Sequence, residues 1–294
     1  MLDFRMETFL SVCEYLNYTR AAEKLNITQP AVSQHIRYLE EEYQTKLFVQ
    51  KGKRVELTES GVRLRHAVLS MRHDILHLKK ELSEQIGQKK KLCFGATLTI
   101  GQHIVPQRLS YLKEKYPSVS MEVCVDNTTE LLQRLNKGEL EFAIVEGNFP
   151  KQDYDYELYK KEDFIPVCAK EYGFAQEPHS LEDLLSETLI IREAVSGNRE
   201  IVERMLQGRN LCLEDFAGTI EINDVQAMKE LIKNGMGIGF LYRSAVEKEL
   251  GEGSIRELSL SDFQIVHDMA FVWIKNSVFA EYYQECARLL RPTN

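Results

Sequence analysis

Gln29, Pro30, Ser33, Gln34 and Arg37 alternate with Val32, Ile36 and Leu39 at steps of three and four. On a helix that spacing turns the apolar three inward and leaves the other five facing out. The outward types suit duplex DNA. Glutamine pairs bidentately with adenine, a proline ring meets a thymine methyl, and Ser33 or Arg37 holds phosphate. Further along, Val49 to Leu57 carries Lys51, Lys53 and Arg54 around Gly52, which reads as a hairpin-like basic wing.

A second set of candidates has different chemistry. Ala96-Thr97-Leu98-Thr99, Asp126-Asn127-Thr128-Thr129 and Val195-Ser196-Gly197-Asn198 are three loops of small hydroxyl and amide residues, each before a helical stretch. Helix N-termini present free N–H groups and a positive dipole, so such loops either cap their helices or bind a ligand, with a small anion or carboxylate favoured. Gly235-Met236-Gly237-Ile238-Gly239 is not a phosphate loop, because it follows a helix and opens a strand. C-capping and close backbone packing explain it.

Several elements must hold these groups. Phe4 to Leu16 has an apolar face made by Met6, Phe9, Leu10, Cys13 and Leu16 and reads as a first helix. Thr19 is placed to cap a short second helix, Arg20 to Leu25, whose Ala21 and Ala22 permit close approach. Thr28 caps the third helix, with Gln29 and Pro30 in its first turn, where proline sacrifices no hydrogen bond. Two short helices joined by a tight turn make a helix-turn-helix whose second helix enters the major groove.

From Thr58 onward Leu64, Val68, Met71, Ile75, Leu78 and Leu82 recur in a heptad rhythm. This predicts a linker helix that joins two copies of the chain, the alternative being a helix docked on its own domain. Gly87 to Lys91 reads as a hinge. Beyond it strands are expected at 92–96, 119–125, 142–145, 164–168, 189–191, 219–222, 238–241 and 269–274, with helices between, which predicts a mainly parallel sheet.

Composition sets the limits. Of 294 residues, 44% are hydrophobic and 28% charged, as in a folded chain with a substantial core. The net charge of −8 is unevenly spread: residues 1–91 carry 16 Lys and Arg against 12 Asp and Glu, and the remainder 21 against 33. A basic arm on an acidic body suits DNA binding. No apolar run is long enough for a membrane span, and the charged N-terminus is unlike a signal peptide, so a cytoplasmic protein is expected. Six scattered cysteines without a C-x-x-C pair read as buried free thiols, and no metal or other cofactor is indicated. An enzyme with an appended DNA-binding domain is the alternative function. It lacks a nucleophile elbow, an H-E-x-x-H or a P-loop.

The run from Thr19-Arg20-Ala21-Ala22-Glu23-Lys24-Leu25 through Thr28-Gln29-Pro30-Ala31-Val32-Ser33-Gln34 to Glu40, with Leu47-Phe48 and Leu57-Thr58-Glu59-Ser60-Gly61, closely resembles the LysR-type transcriptional regulators. The resemblance continues to the end of the chain. It implies a multidomain α/β protein: a winged helix-turn-helix over 1–58, a linker and dimerisation helix over 59–90, and a periplasmic-binding-protein-like effector domain over 91–294. That domain would comprise subdomain I (91–161 and 268–294) and subdomain II (162–267), hinged near Lys161 and His267. The implied partners are double-stranded operator DNA and a small-molecule effector, in a homodimer or homotetramer. Base reading would fall to Gln29, Pro30 and Ser33, with Gln34 where the family commonly has arginine, so a guanine contact is not implied there. The implied effector cleft is Thr97, Thr99, Thr128, Ser196, Gly197 and Asn198, with Arg192 beside it. Glu146-Gly147 and Ser196-Gly197 resemble members related to sulfur and nitrogen metabolism.

Overall fold

The structure is a computed structural model that describes residues 3–52, 54–85, 90–146, 148–194 and 196–291. Lys53 of the expected wing, the 86–89 part of the expected hinge, Gly147 and Val195 lie outside the described residues.

Three helices form the N-terminal head: α1 Phe4–Tyr15, α2 Tyr18–Leu25 and α3 Gln29–Glu42. Phe9 and Val12 of α1, Ala21 of α2 and Val32, Ile36 and Leu39 of α3 are buried together. The α2–α3 turn passes through Asn26 at φ 54, a left-handed conformation that asparagine tolerates, with its N–H returned to α2. Asn17, not Thr19, caps α2: its Oδ1 accepts from the N–H groups of Thr19 and Arg20 at 2.9 and 3.0 Å. Extended backbone at Asn17 puts the cap two residues earlier than expected, leaving Thr19 inside the first turn. The wing is a hairpin of β1 Phe48–Lys51 and β2 Arg54–Leu57, turning at Gly52 with φ 63.

Helix α4, Glu59–Gln85, follows. At about 1.5 Å per residue it is roughly 40 Å long. Thr58 Oγ1 accepts from Gly61 N at 2.9 Å and donates to Lys46 O at 2.6 Å, so one residue caps the helix and pins it to the head. Gly61 has no room for a side chain, since a Cβ there would lie 2.2 Å from Leu47 O.

The heptad seam divides. Val68 is buried in the head's core with Leu64 packed against it, whereas Met71, Leu78 and Leu82 are 44, 46 and 52% exposed. The other side of α4 lies on the body. His73 Nε2 is 3.0 Å from Leu140 O, Ser70 Oγ donates to Asn276 O at 3.1 Å, and Lys80 pairs with Glu141.

The body's first half contains β3 Lys91–Ala96, α5 Val105–Lys115, β4 Ser120–Val125, α6 Thr128–Lys137 and β5 Phe142–Val145. A long strand, β6 Tyr154–Ala169, then leads to β7 Thr188–Arg192, α7 Gly197–Gln207, β8 Gly218–Ile222, α8 Val225–Lys233, β9 Ile238–Tyr242, α9 Arg243–Glu252 and β10 Ile255–Glu257. The chain returns along β11 Ile265–Ile274 and ends in α10 Ala280–Leu290. One sheet of order β4-β3-β5-β11-β6-β9-β7-β8 joins these strands, with β10 beside β6.

The expectation of a mainly parallel sheet is corrected. β3 runs parallel to β4 and β5, and β7 to β8 and β9, but β6 and β11 are antiparallel to their neighbours. These two strands traverse the body side by side, with Lys161 opposite Asp268 and Glu162 opposite His267. The polar first half of β6, and α9, went unread in the sequence because neither shows a clean apolar period.

The glycine-rich segment behaves as packing. Gly235 takes φ 70 after α8, and a Cβ at Gly237 would lie 2.3 Å from Thr188 O. Of the six thiols only Cys168 and Cys286 are buried; Cys13, Cys93 and Cys124 are half-buried and Cys212 is exposed, so the expectation of buried cysteines holds in part. Cys212 lies beside Asp215 in a short loop turn, where flanking leucines misled the reading.

Candidate DNA interface and effector cleft

On α3 the buried face of Val32, Ile36 and Leu39 leaves Gln29, Pro30, Gln34 and Arg37 exposed and Ser33 half-buried. Thr28 Oγ1 accepts from Ala31 N at 3.3 Å and so caps the helix. Gln29 Nε2 donates to Ser33 Oγ at 2.9 Å, one turn on. That contact orients the Gln29 amide and leaves its oxygen and second N–H free.

A groove runs from the start of α2 past Gln29 and Ser33 to the wing, lined also by Asn17, Tyr18, Lys46 and Gln50. No periodic signal marks these four, since Asn17 and Tyr18 form the cap and first residue of α2, Lys46 lies in the loop before the wing and Gln50 on β1. Glu40 fixes the groove's far side: its carboxylate accepts from Leu47 N at 3.0 Å and pairs with Lys46 at 2.6 Å, tying α3 to the wing. In the wing Lys51 is paired with Glu56 at 2.7 Å while Arg54 is exposed.

The second group converges on a residue that was not predicted as a site. Glu146 follows the wholly buried strand β5 and is only 5% exposed. Thr99 Oγ1 donates to its Oε1 at 3.2 Å, and Thr128 Oγ1 donates to its backbone oxygen at 2.8 Å. From the second half of the body, the N-terminus of α7 approaches closely: a Cβ on Gly197 would lie 3.5 Å from Glu146 O and 3.6 Å from its Cγ. Burial pushes the Glu146 carboxyl up to about 7, against the pull of the Thr99 hydroxyl and of the Arg192 charge. The legible signal was a carboxylate at the carboxyl end of an all-apolar strand.

The remaining predicted residues surround this point unequally. Thr97 is buried, and its N–H donates to Ile144 O at 3.1 Å. Arg192 is buried but engaged, with its guanidinium on Glu193 at 2.9 and 3.0 Å and on Asn223 O at 3.1 Å. Asn198 turns its Nδ2 to Phe240 O at 3.1 Å. Ser196 precedes α7 without a side-chain capping bond. Tyr242, at the end of β9, is also buried; its hydroxyl lies 3.0 Å from His267 Nδ1, and its pKa is raised by burial and by Glu146 and Glu162.

Comparison with known proteins places the chain in a family. Residues 4–62 match the bacterial regulatory helix-turn-helix proteins of the lysR family, and residues 85–293 match the LysR substrate binding domain. The chain is 30% identical over 269 residues to the HTH-type transcriptional regulator CysL of Bacillus subtilis, covering 91% of this chain and 89% of that protein. It is 27% identical over 276 residues to the HTH-type transcriptional activator CmpR of a Synechocystis strain, 92% and 89% of the two chains. Full-length LysG of Corynebacterium glutamicum, solved with arginine bound as effector, superposes with a TM-score of 0.62 at 17% identity over 99% of this chain and all of that one.

The chain belongs to the LysR family. It is a DNA-binding transcriptional regulator rather than an enzyme, with a winged helix-turn-helix and a periplasmic-binding-protein-like body that takes a small-molecule effector. Among the described residues no helix is long and apolar enough to cross a membrane.

Proposed function

We propose that residues 1–58 read the operator and 59–90 pair two copies, and that the body senses an effector between subdomain I (91–161 and 268–294) and subdomain II (162–267). The observation that carries the reading is the meeting at Glu146 of Thr99 and Thr128 from one half and Gly197 from the other. A ligand there touches both halves, so its binding favours one relative arrangement of them. The β6–β11 ribbon, crossing at Lys161 and Asp268, is the natural hinge. A tenfold change in operator occupancy needs a differential affinity of only about 1.4 kcal/mol.

In this reading Gln29, Pro30 and Ser33 read bases, while Thr19, Thr28, Gln34, Arg37, Lys51, Lys53 and Arg54 flank or hold phosphate. Thr97, Thr99, Thr128, Ser196, Gly197 and Asn198, with Arg192 behind them, form the effector cleft. The first turn of α7, lacking a side-chain cap, supports an effector that bears a carboxylate. The exposed leucines of α4 support a homodimer through the linker helix, and contacts between bodies would extend it to a tetramer.

Binding of the full chain to its own upstream DNA, measured across salt concentrations, tests the reader. A specific complex that weakens steeply with salt is expected. Adding a ligand that raises the melting temperature should then shift operator affinity, and Thr128→Val should remove both responses. Ligand binding with no change on DNA would defeat the coupling.

A further inference from the structure

Among the described residues three buried polar atoms of the predicted cleft residues and Glu146 have no partner at hydrogen-bond geometry, Glu146 Oε2, Thr97 Oγ1 and Asn198 Oδ1, although the Thr97 hydroxyl is near enough to Glu146 to pull its pKa down against burial. Unmet buried polar atoms are expensive, and a ligand is the ordinary remedy at a binding cleft. An amide oxygen and an ionised carboxylate only accept hydrogen bonds, a hydroxyl does either, and a cation seated on Glu146 is what favours its ionised, acceptor-only form. The unmet demand is therefore for donors. A bare anion brings none and would have to sit beside the Glu146 carboxyl.

Directly against Glu146 lies the opposite chemistry. The N-terminus of α7, an 11-residue helix, carries free backbone N–H groups, and Ser196 does not cap it. An acceptor site and a donor site in contact across the cleft suit a small molecule with a cation and an anion a few bonds apart.

We infer that the effector is a small α-amino acid whose ammonium seats on Glu146 and whose carboxylate meets the first turn of α7. This rests on the cleft being the effector site and goes beyond it by naming the ligand class. An ammonium on Glu146 supplies a positive charge in direct contact, which Arg192, held on Glu193 and Asn223 O, does not, and it has three N–H donors for Oε2 and its neighbours.

The test uses the full chain and paired probes: L-α-amino acids, each beside the 2-hydroxy acid with the same side chain, and inorganic sulfate and phosphate as bare anions. Thermal shift followed by calorimetric titration should find an amino acid that binds while its hydroxy acid does not. Glu146→Gln should weaken that binding about 10- to 100-fold, the effect of losing a charge-assisted hydrogen bond, and Glu146→Asp should retain part of it. The pairwise comparison on the unmodified chain stands even if a variant fails to fold.

A hydroxy acid, sulfate or phosphate that binds as well as any amino acid, and is lost in Thr128→Val, would overturn the amine and leave the cleft intact. An amino acid whose binding survives both Glu146→Gln and Thr128→Val lies elsewhere and overturns the inference and the cleft together. Absence of binding by every amino acid also refutes the inference.

Discussion

Asp153 Oδ1 lies 2.7 Å from Nε2 of His66, and its Oδ2 accepts from Arg65 Nη1 at 3.1 Å. One carboxylate at the start of β6 thus holds two consecutive residues of the linker helix. Asp74, on the helix itself, makes the reverse clamp on two consecutive residues of the body, accepting from Ser277 Oγ at 2.5 Å and Val278 N at 3.1 Å. With Glu141, which accepts from Cys93 N at 2.9 Å and Tyr282 Oη at 2.8 Å and pairs with Lys80, three carboxylates fasten the linker to the body. All of these body residues lie in 91–161 or 268–294, so the helix that carries the reading head is fastened to that half of the body.

Removal of the Asp153 clamp should be measurable as stability. Asp153→Ala leaves two partly buried cationic or donor groups without their acceptor, and the expected loss is about 2 kcal/mol in a urea titration. Because His66 and Asp153 share one contact, Asp153→Ala combined with His66→Ala should fall short of the sum of the single losses. Simple additivity would mean that the contact contributes nothing.

The divided seam of α4 separates two kinds of mutation. Leu78→Glu with Leu82→Glu adds charge on an exposed face and should split the proposed dimer in sedimentation velocity, leaving an unfolding midpoint that no longer depends on chain concentration. Val68→Ala, in the head's core, should instead lower stability by about 1–3 kcal/mol without changing the assembly. A dimer that persists in the double glutamate variant would remove α4 as its interface.

In the proposed reader Ser33 orients Gln29 for its base contact. Its Oγ takes one hydrogen from the Gln29 amide, leaving the second N–H and the oxygen for the paired contact that adenine accepts. Ser33→Ala should reduce discrimination at that single base by about 1 kcal/mol and leave the salt dependence of binding intact. Arg37→Ala should weaken binding to operator and unrelated duplex alike and lower the salt slope by about one. Gel shifts on operators mutated one base pair at a time distinguish the two patterns.

Much of this architecture is legible in the residues because the signals are local. Thr28, Pro30 and the Val32-Ile36-Leu39 stripe announce α3 through capping and periodicity alone, and Phe142 to Val145 announces a strand by being wholly apolar. What escaped depends on distant partners. Asn17 caps α2 because of backbone geometry that Thr19 equally allowed on paper. The first half of β6 is polar and becomes a strand only by pairing with β11, from Tyr154 opposite Ile274 onward. Glu146 stands out in the sequence only through the Glu146-Gly147 pair, which does not mark it as a site, and its environment is assembled by Thr99, 47 positions away, and by Gly197 from the other half of the body.

The buried acid in the cleft has a cost that pH should reveal. Glu146 titrates near 4.5 in the unfolded chain and near 7 in the fold. Well below pH 4.5 it is neutral in both states and its burial carries no charge penalty. As pH rises toward about 7, the unfolded chain ionises while the folded one resists, so stability falls, by about 3 kcal/mol at full displacement. Arg192 and Glu162 bear on that carboxyl with opposite sign, and Tyr242 faces it as a neutral hydroxyl. Burial lowers the pKa of His73, His77, His103 and His267, which produces the reverse trend: their contribution is present above 6.5 and lost as pH falls. Those histidines are common to the parent and to Glu146→Gln, so the difference between the two proteins isolates the acid. Without ligand, the glutamine variant should gain on the parent steadily from about pH 5 to pH 7 in urea titrations. Two stability curves that run parallel over that range would mean that Glu146 ionises as freely in the fold as in water, and the cleft would then be open to solvent.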